Sequence, residues 1–118
     1  MNIKEFSELV KFSTHTLRYY EKIGLLKNIT RDSSGHRDFT HSDVKWLSFI
    51  KRAKETGMSL KTIQQYAELM NQGDSTIETR LQMLTAHTLE VEERIKNESN
   101  HLKKLKEKIL FYEQKISG

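Results

Sequence analysis

Thr14-His15-Thr16-Leu17-Arg18-Tyr19-Tyr20-Glu21, running on to Gly24-Leu25-Leu26, is the stretch on which the reading of this chain turns. At helical spacing Leu17, Tyr20 and Ile23–Gly24 fall on one side, while His15, Arg18, Tyr19 and Lys22 fall largely on the other. Ser13 is an N-cap residue and Gly24 a stop, so a short helix is predicted from Thr14 to about Ile23. Upstream, Ile3, Phe6, Leu9 and Val10 share one face of another short helix over residues 3–10. Two short amphipathic helices separated by about three residues have the spacing of a helix-turn-helix.

Moving downstream, the helical period disappears from Thr30 to Phe39, where Asp32-Ser33-Ser34-Gly35 is turn chemistry between Arg31 and Arg37. A small hairpin is expected there. Thr40 and Asp43 form a capping-box variant ahead of Val44, Trp46, Leu47, Phe49 and Ile50, opening a third helix that stops at Gly57. Ser59 caps a fourth, which carries Leu60, Ile63, Tyr66, Ala67, Leu69 and Met70 and stops near Gly73.

The remainder has the clearest period in the chain. Ile77, Leu81, Leu84, Thr88, Val91, Ile95, Glu98, Leu102, Leu105, Ile109, Tyr112 and Ile116 follow steps of four and three without a slip, and only Thr88 and Glu98 are polar. This is a heptad seam, and a helix over residues 75–116 would run about 60 Å at ~1.5 Å per residue. A lone helix cannot bury such a stripe against a small module, so the seam calls for a second chain, most simply another copy.

Charge divides the chain at the same place. Residues 1–72 hold 12 Lys/Arg against 8 Asp/Glu and eight of the ten aromatics, whereas residues 73–118 hold 8 against 8. Two domains are expected at those boundaries, the first a basic, aromatic-rich module suited to a polyanion. There are no cysteines, which removes disulfides, thiolate metal sites and thiol nucleophiles. His15, His36, His41, His87 and His101 do not form a metal-ligand spacing, the glycines are too dispersed for a phosphate loop, and no nucleophile elbow or carboxylate pair occurs. No enzyme activity, metal or cofactor is expected. Without an apolar run long enough for a membrane span or an export signal, a cytoplasmic protein with no membrane partner is expected.

The outward face of residues 14–22 offers His15, Arg18 and Tyr19 near a helix N-terminus, the part that helix-turn-helix proteins present to base edges in the major groove. An outward Arg-Tyr pair beside a cap suits that role better than plain surface, whereas Tyr20 reads as core. Arg31, His36 and Arg37 fit a wing that reaches phosphates or the minor groove, and equally fit a polar turn.

With these residues in hand, the chain resembles the mercury-resistance-regulator (MerR) family of bacterial transcription factors. The resemblance is carried by Thr16-Leu17-Arg18-Tyr19-Tyr20-Glu21, Gly24-Leu25-Leu26, Arg31 with Gly35-His36-Arg37-Asp38-Phe39, and Thr56-Gly57-Met58-Ser59-Leu60-Lys61-Thr62-Ile63, in order over residues 2–70. It implies a mainly α fold: a winged helix-turn-helix over residues 1–72, then an antiparallel coiled-coil dimerisation helix over 73–118. It assigns Ser13, Thr14, His15, Arg18 and Tyr19 to the recognition helix, Arg31, His36, Arg37 and Phe39 to the wing, and Lys61 to backbone phosphate. It also implies a homodimer acting on a pseudo-palindromic promoter, whose double-stranded DNA it bends and untwists so that two promoter elements realign for RNA polymerase. The tail ending in Phe111-Tyr112-Glu113 looks most like the aldehyde- and electrophile-responsive branch. Three departures stand out. Lys11 occupies a turn position usually held by glycine, where a left-handed conformation costs about 1–2 kcal/mol. His36 replaces a common tyrosine, and proline is absent around Asn28. The missing cysteine separates this chain from metal- and redox-sensing relatives, and no effector domain like that of drug-responsive ones is expected within these 118 residues. The rival readings are an architectural, excisionase-like DNA-bending protein and a coiled-coil adaptor whose basic head binds an acidic protein.

The resemblance gives the seam an antiparallel orientation, centred where partner numbers sum to about 193. Leu81 then lies near the partner's Tyr112, Leu84 near its Ile109, Thr88 near its Leu105, Val91 near its Leu102, and Glu98 beside its Ile95. Local charge leans the other way. Arg80, His87, Arg94, His101, Lys108 and Lys115 flank the seam and would face their own kind, but exposed pairs are worth only ~0.2–1 kcal/mol.

Overall fold

Asn2 opens the first helix by accepting a hydrogen bond from the Glu5 amide at 2.9 Å. In the computed structural model, which describes residues 1–118, α1 (Ile3–Val10) ends at Lys11, whose φ of 62° and ψ of 36° are left-handed. A side chain stands where glycine costs least, and the Lys11 amide still bonds Ser7 O at 3.0 Å. The Ser7 hydroxyl donates to Phe12 O and holds the turn from within. α2 (Thr14–Lys22) begins at Ser13, which accepts from the Thr16 amide, and ends before Gly24 at φ +85°. The helix-turn-helix is therefore present with the expected boundaries.

β1 (Thr30–Arg31) and β2 (Arg37–Asp38) pair antiparallel, Thr30 with Asp38 and Arg31 with Arg37. The reciprocal capping box of Thr40 and Asp43 starts α3 (His41–Glu55), and Ser59 starts α4 (Leu60–Asn71). The core of this head is built by the four helices and the segments between them, with Phe6, Leu17, Tyr20, Leu47, Ile50 and Ile63 fully enclosed, while neither strand contributes a buried side chain. The Trp46 indole N–H donates to Leu25 O at 2.7 Å and ties the loop after α2 to α3. The Phe49 and Tyr66 rings stack 4.9 Å apart between α3 and α4.

The head runs further than its composition implies. The boundary expected at residues 72 and 73 falls instead between Ile77 and Glu78. A 3-10 turn, Asp74–Thr76, belongs to the head because Thr76 is buried and its hydroxyl bonds Leu69 O and Gly73 O. The second unit, Glu78–Gly118, is formed by the helix α5 (Ile77–Ser117), whose first residue still belongs to the head and which has no buried residue. Its seam is open, with Leu81, Ile95, Leu102, Leu105, Ile109 and Tyr112 each more than half exposed.

Candidate nucleic-acid interface

Two buried side chains fix the orientation of α2. Leu17 and Tyr20 are enclosed, and the Tyr20 hydroxyl accepts a hydrogen bond from Lys54 Nζ at 3.0 Å. Phe12 meets the Tyr20 ring edge-on at 5.5 Å, and Lys51 sits over the Phe12 ring. With those residues inward, Ser13, His15, Arg18 and Tyr19 are exposed and Thr14 is half-buried, as the helical spacing requires. Tyr19 keeps 47% of its surface open beside a fully enclosed Tyr20. The Ser13 hydroxyl is engaged by its own helix, accepting from the Thr16 amide at 3.1 Å and donating to Thr16 Oγ1 at 2.9 Å. The Ser13 oxygen thus serves first as a cap, leaving His15, Arg18 and Tyr19 as the open side chains of this face.

Asp32 builds the tip of the hairpin. Its Oδ1 accepts from the Ser34 amide at 2.9 Å and the His36 amide at 3.0 Å, while Gly35 takes the positive φ of 83°. These bonds, the His36 amide foremost, lower the Asp32 carboxyl below its ordinary pKa. His36 is exposed at this tip, as expected of a wing residue, with Nδ1 3.8 Å from the Asp32 carboxylate.

Two wing assignments change. Phe39 is 3% exposed and its ring stacks on Phe6 at 4.1 Å, with 3° between planes. It is a core residue and cannot meet DNA, because strand alternation that points Asp38 outward turns the next side chain in. Arg37 is not an open wing cation. Its Nε and a terminal nitrogen both reach Glu21 Oε1, at 2.8 and 2.7 Å, with side-chain exposures of 28% for Arg37 and 25% for Glu21. Arg31 approaches the other Glu21 oxygen at 3.9 Å and donates to Gly35 O at 3.3 Å. Glu21, on the face of α2 between the core and the recognition side chains, therefore fastens the wing to the recognition helix. The sequence alone assigns Glu21 no role.

Lys61 is exposed in the first turn of α4, behind the Ser59 cap. A depression of about 250 Å³ lined by Ile23, Gly24, Lys27, Lys61 and Gln64 places it beside the end of α2. Lys27 adds a second cation to that corner, one not singled out in the sequence. A further tether lies at the other edge of the hairpin. The Phe39 amide donates to Met1 O at 2.7 Å, and the Met1 ammonium meets Asp38 Oδ1 at 2.7 Å. The recognition helix, the wing and the start of α4 thus form one polar surface backed by one core.

Known proteins agree with this geometry. A family model described as MerR HTH family regulatory protein matches residues 1–69, and one described as MerR, DNA binding matches residues 44–107. An uncharacterized HTH-type transcriptional regulator of Haemophilus influenzae is 43% identical over 108 residues, 92% of this chain and 80% of that protein. The HTH-type transcriptional regulator AdhR of Bacillus subtilis is 38% identical over 84 residues, 71% of this chain and 60% of AdhR. Among solved structures, HiNmlR, a MerR family regulator lacking the sensor domain and bound to promoter DNA, superposes with a TM-score of 0.85. It is 41% identical over 96% of this chain and 86% of its own. The chain belongs to the MerR family of helix-turn-helix transcriptional regulators and is itself a DNA-binding transcriptional regulator.

Proposed function

We propose that the chain works as a homodimer in which α5 pairs antiparallel with α5 of a second copy, placing two winged heads on the half-sites of a pseudo-palindromic promoter. The observation that carries this is the open seam of α5: Leu81, Ile95, Leu102, Leu105, Ile109 and Tyr112 are 51–63% exposed. A stripe of that length is stable in water only when covered, and its 3.5-residue period suits another helix. An antiparallel pair sets the heads at opposite ends, where separated half-sites can be read.

Within each head, His15, Arg18 and Tyr19 read base edges, with Ser13 and Thr14 at the helix start close to the backbone. Arg31 and His36 carry the wing to flanking phosphate, Arg37 holds it in place through Glu21, and Lys61 meets phosphate at the start of α4. The heads bend and untwist the duplex between the half-sites, realigning promoter elements for RNA polymerase. The relative bound to promoter DNA supports this reading. No helix is long and apolar enough to cross a membrane.

Footprinting on the inverted repeats flanking its gene, with sedimentation of the complex, tests the proposal. One dimer should protect both half-sites, with a distortion-sensitive region between them. A monomer that protects one half-site with undiminished affinity would contradict it.

A further inference from the structure

Phe12 and Tyr20 bracket the start of the recognition helix, and α3 sends one cation to each. Lys51 Nζ lies 5.3 Å from the centre of the half-buried Phe12 ring, and Lys54 Nζ lies 5.6 Å from the centre of the Tyr20 ring. Three residues apart, the two lysines share one face of α3. Their aromatic partners meet edge-on at 5.5 Å, with 67° between planes. Lys51 divides its charge, standing 3.3 Å from Glu55 Oε1. Lys54 does more than neighbour its ring. Its Nζ donates to the Tyr20 hydroxyl at 3.0 Å, across 34 residues of chain, while Tyr20 is only 2% exposed.

That contact falls where it can set the rotation of α2. Arg18 and Tyr19 directly precede Tyr20, and His15 stands one turn earlier on the same helix, so any rotation of α2 carries all three open side chains with it. Leu17 is held by apolar packing, which has no preferred direction, whereas the Lys54–Tyr20 bond is directional. With side chains reaching about 5–6 Å from a helix axis, a rotation of about 10° moves their ends by about 1 Å. A bidentate hydrogen bond to a base edge does not survive that displacement, but the attraction of a cation to phosphate does.

We propose that Lys54 is a positioning residue for sequence reading. By holding the Tyr20 hydroxyl it fixes the rotation of α2, and so the register of His15, Arg18 and Tyr19 against the bases, without touching DNA itself. This rests on the reading of α2 as the base-reading helix given above. A lysine beside a recognition helix is ordinarily a phosphate ligand. Here its ammonium is directed to a core side chain of the head, so the helix that reads sequence is held by one that carries none of the reading residues.

The test compares full-length variants on a duplex carrying the footprinted inverted repeat and on a random duplex of equal length, across a salt series. Tyr20→Phe removes the acceptor and leaves every charge in place, while Lys54→Met removes the donor and keeps an apolar stem. Each should lower affinity for the inverted repeat by about tenfold or more, the factor that corresponds to losing one charge-assisted hydrogen bond. Affinity for the random duplex should change by less than about threefold, and the slope of log K against log salt should stay as in the parent. Lys54→Arg should restore binding to the inverted repeat. In a double-mutant cycle, Lys54→Met and Arg18→Ala should cost less together than the sum of their separate losses, since both act on one contact. Unchanged affinity for the inverted repeat in Tyr20→Phe overturns the inference. So does a slope that falls by about 0.9 for each lysine removed in Lys54→Met, which would make Lys54 a phosphate contact. A loss shared equally by both duplexes, with a matching fall in urea stability, overturns it too by reducing the contact to one of folding alone. Arg18→Ala separates the two levels. If it abolishes the preference for the inverted repeat while Tyr20→Phe does not, only the role of Lys54 fails; if it leaves that preference intact, the base-reading assignment of α2 fails as well.

Discussion

Replacing Glu21 by Gln should move specific and non-specific DNA binding in opposite directions. The Glu21 carboxylate holds Arg37 through two contacts of 2.8 and 2.7 Å and stands 3.9 Å from Arg31. The pair is three-quarters enclosed, so it lies above the ~0.2–1 kcal/mol of exposed ion pairs and near the lower end of the ~1.5–3 kcal/mol of charge-assisted hydrogen bonds. Glu21→Gln should therefore cost about 1–2 kcal/mol of head stability, read by urea unfolding. It also removes one negative charge per head and releases up to two guanidinium groups. Affinity for random duplex should rise, and the slope of log K against log salt should steepen by about 0.9 for each phosphate newly contacted. Affinity for the inverted repeat should fall relative to random duplex, because the wing is no longer fixed against the recognition helix. A Glu21→Gln protein with unchanged stability, and with specific and random affinities moving together, would refute the idea that Glu21 fastens the wing. In a double-mutant cycle with Arg37→Gln, the coupling should account for most of the stability loss.

Phe39→Ala should destabilise the head by about 3–5 kcal/mol, since it removes a buried ring stacked on Phe6; thermal unfolding followed by circular dichroism measures it, and a loss below 1 kcal/mol would return Phe39 to the surface. Lys11→Gly should stabilise the protein by about 1 kcal/mol in the same assay, because relief of left-handed strain exceeds the added entropy of the unfolded chain; a destabilised variant would contradict the positive φ. The hairpin tip should loosen in acid. The Asp32 carboxyl is held below its ordinary value of 3.8, so its contribution is fully present above that pH and is lost as pH falls through the lower folded value. Amide chemical shifts of Ser34 and His36 should record that step, and Asp32→Asn should abolish it.

Much of this architecture is legible because the deciding signals are local. Ser13, Ser59 and the Thr40–Asp43 box lie within four residues of the amides they satisfy, so side-chain type alone sets three helix starts. The alternation of inward Leu17 and Tyr20 with outward Arg18 and Tyr19 follows from helical geometry. Errors arise where the partner is remote. Phe39 follows a two-residue strand too short to display a period, and only its contact with Phe6, from the first helix, reveals that it faces inward. Arg37 reads as a free cation until Glu21, sixteen residues away, is placed beside it. Thr76 falls within the helix expected over residues 75–116, yet its hydroxyl is spent on the backbone carbonyls of Leu69 and Gly73 at the end of α4, which shifts the domain boundary. Lys11 is intermediate: a family pattern points to the strain, and composition alone gives no hint of it.

The pairing of α5 with a second copy is the claim on which both the dimer and the spacing of the heads depend. Because the chain has no native cysteine, Leu81→Cys/Tyr112→Cys supplies a clean pair of thiols. Along one straight helix those positions are about 46 Å apart at ~1.5 Å per residue, so any bridge between them joins two chains. Mild oxidation of the double variant should give a covalent dimer carrying 81–112 links, identified by mass spectrometry of the digested product, while Leu81→Cys alone should stay monomeric on a denaturing gel. Efficient 81–81 linkage in the single variant, without 81–112 linkage in the double, would contradict the antiparallel account and establish a parallel coil.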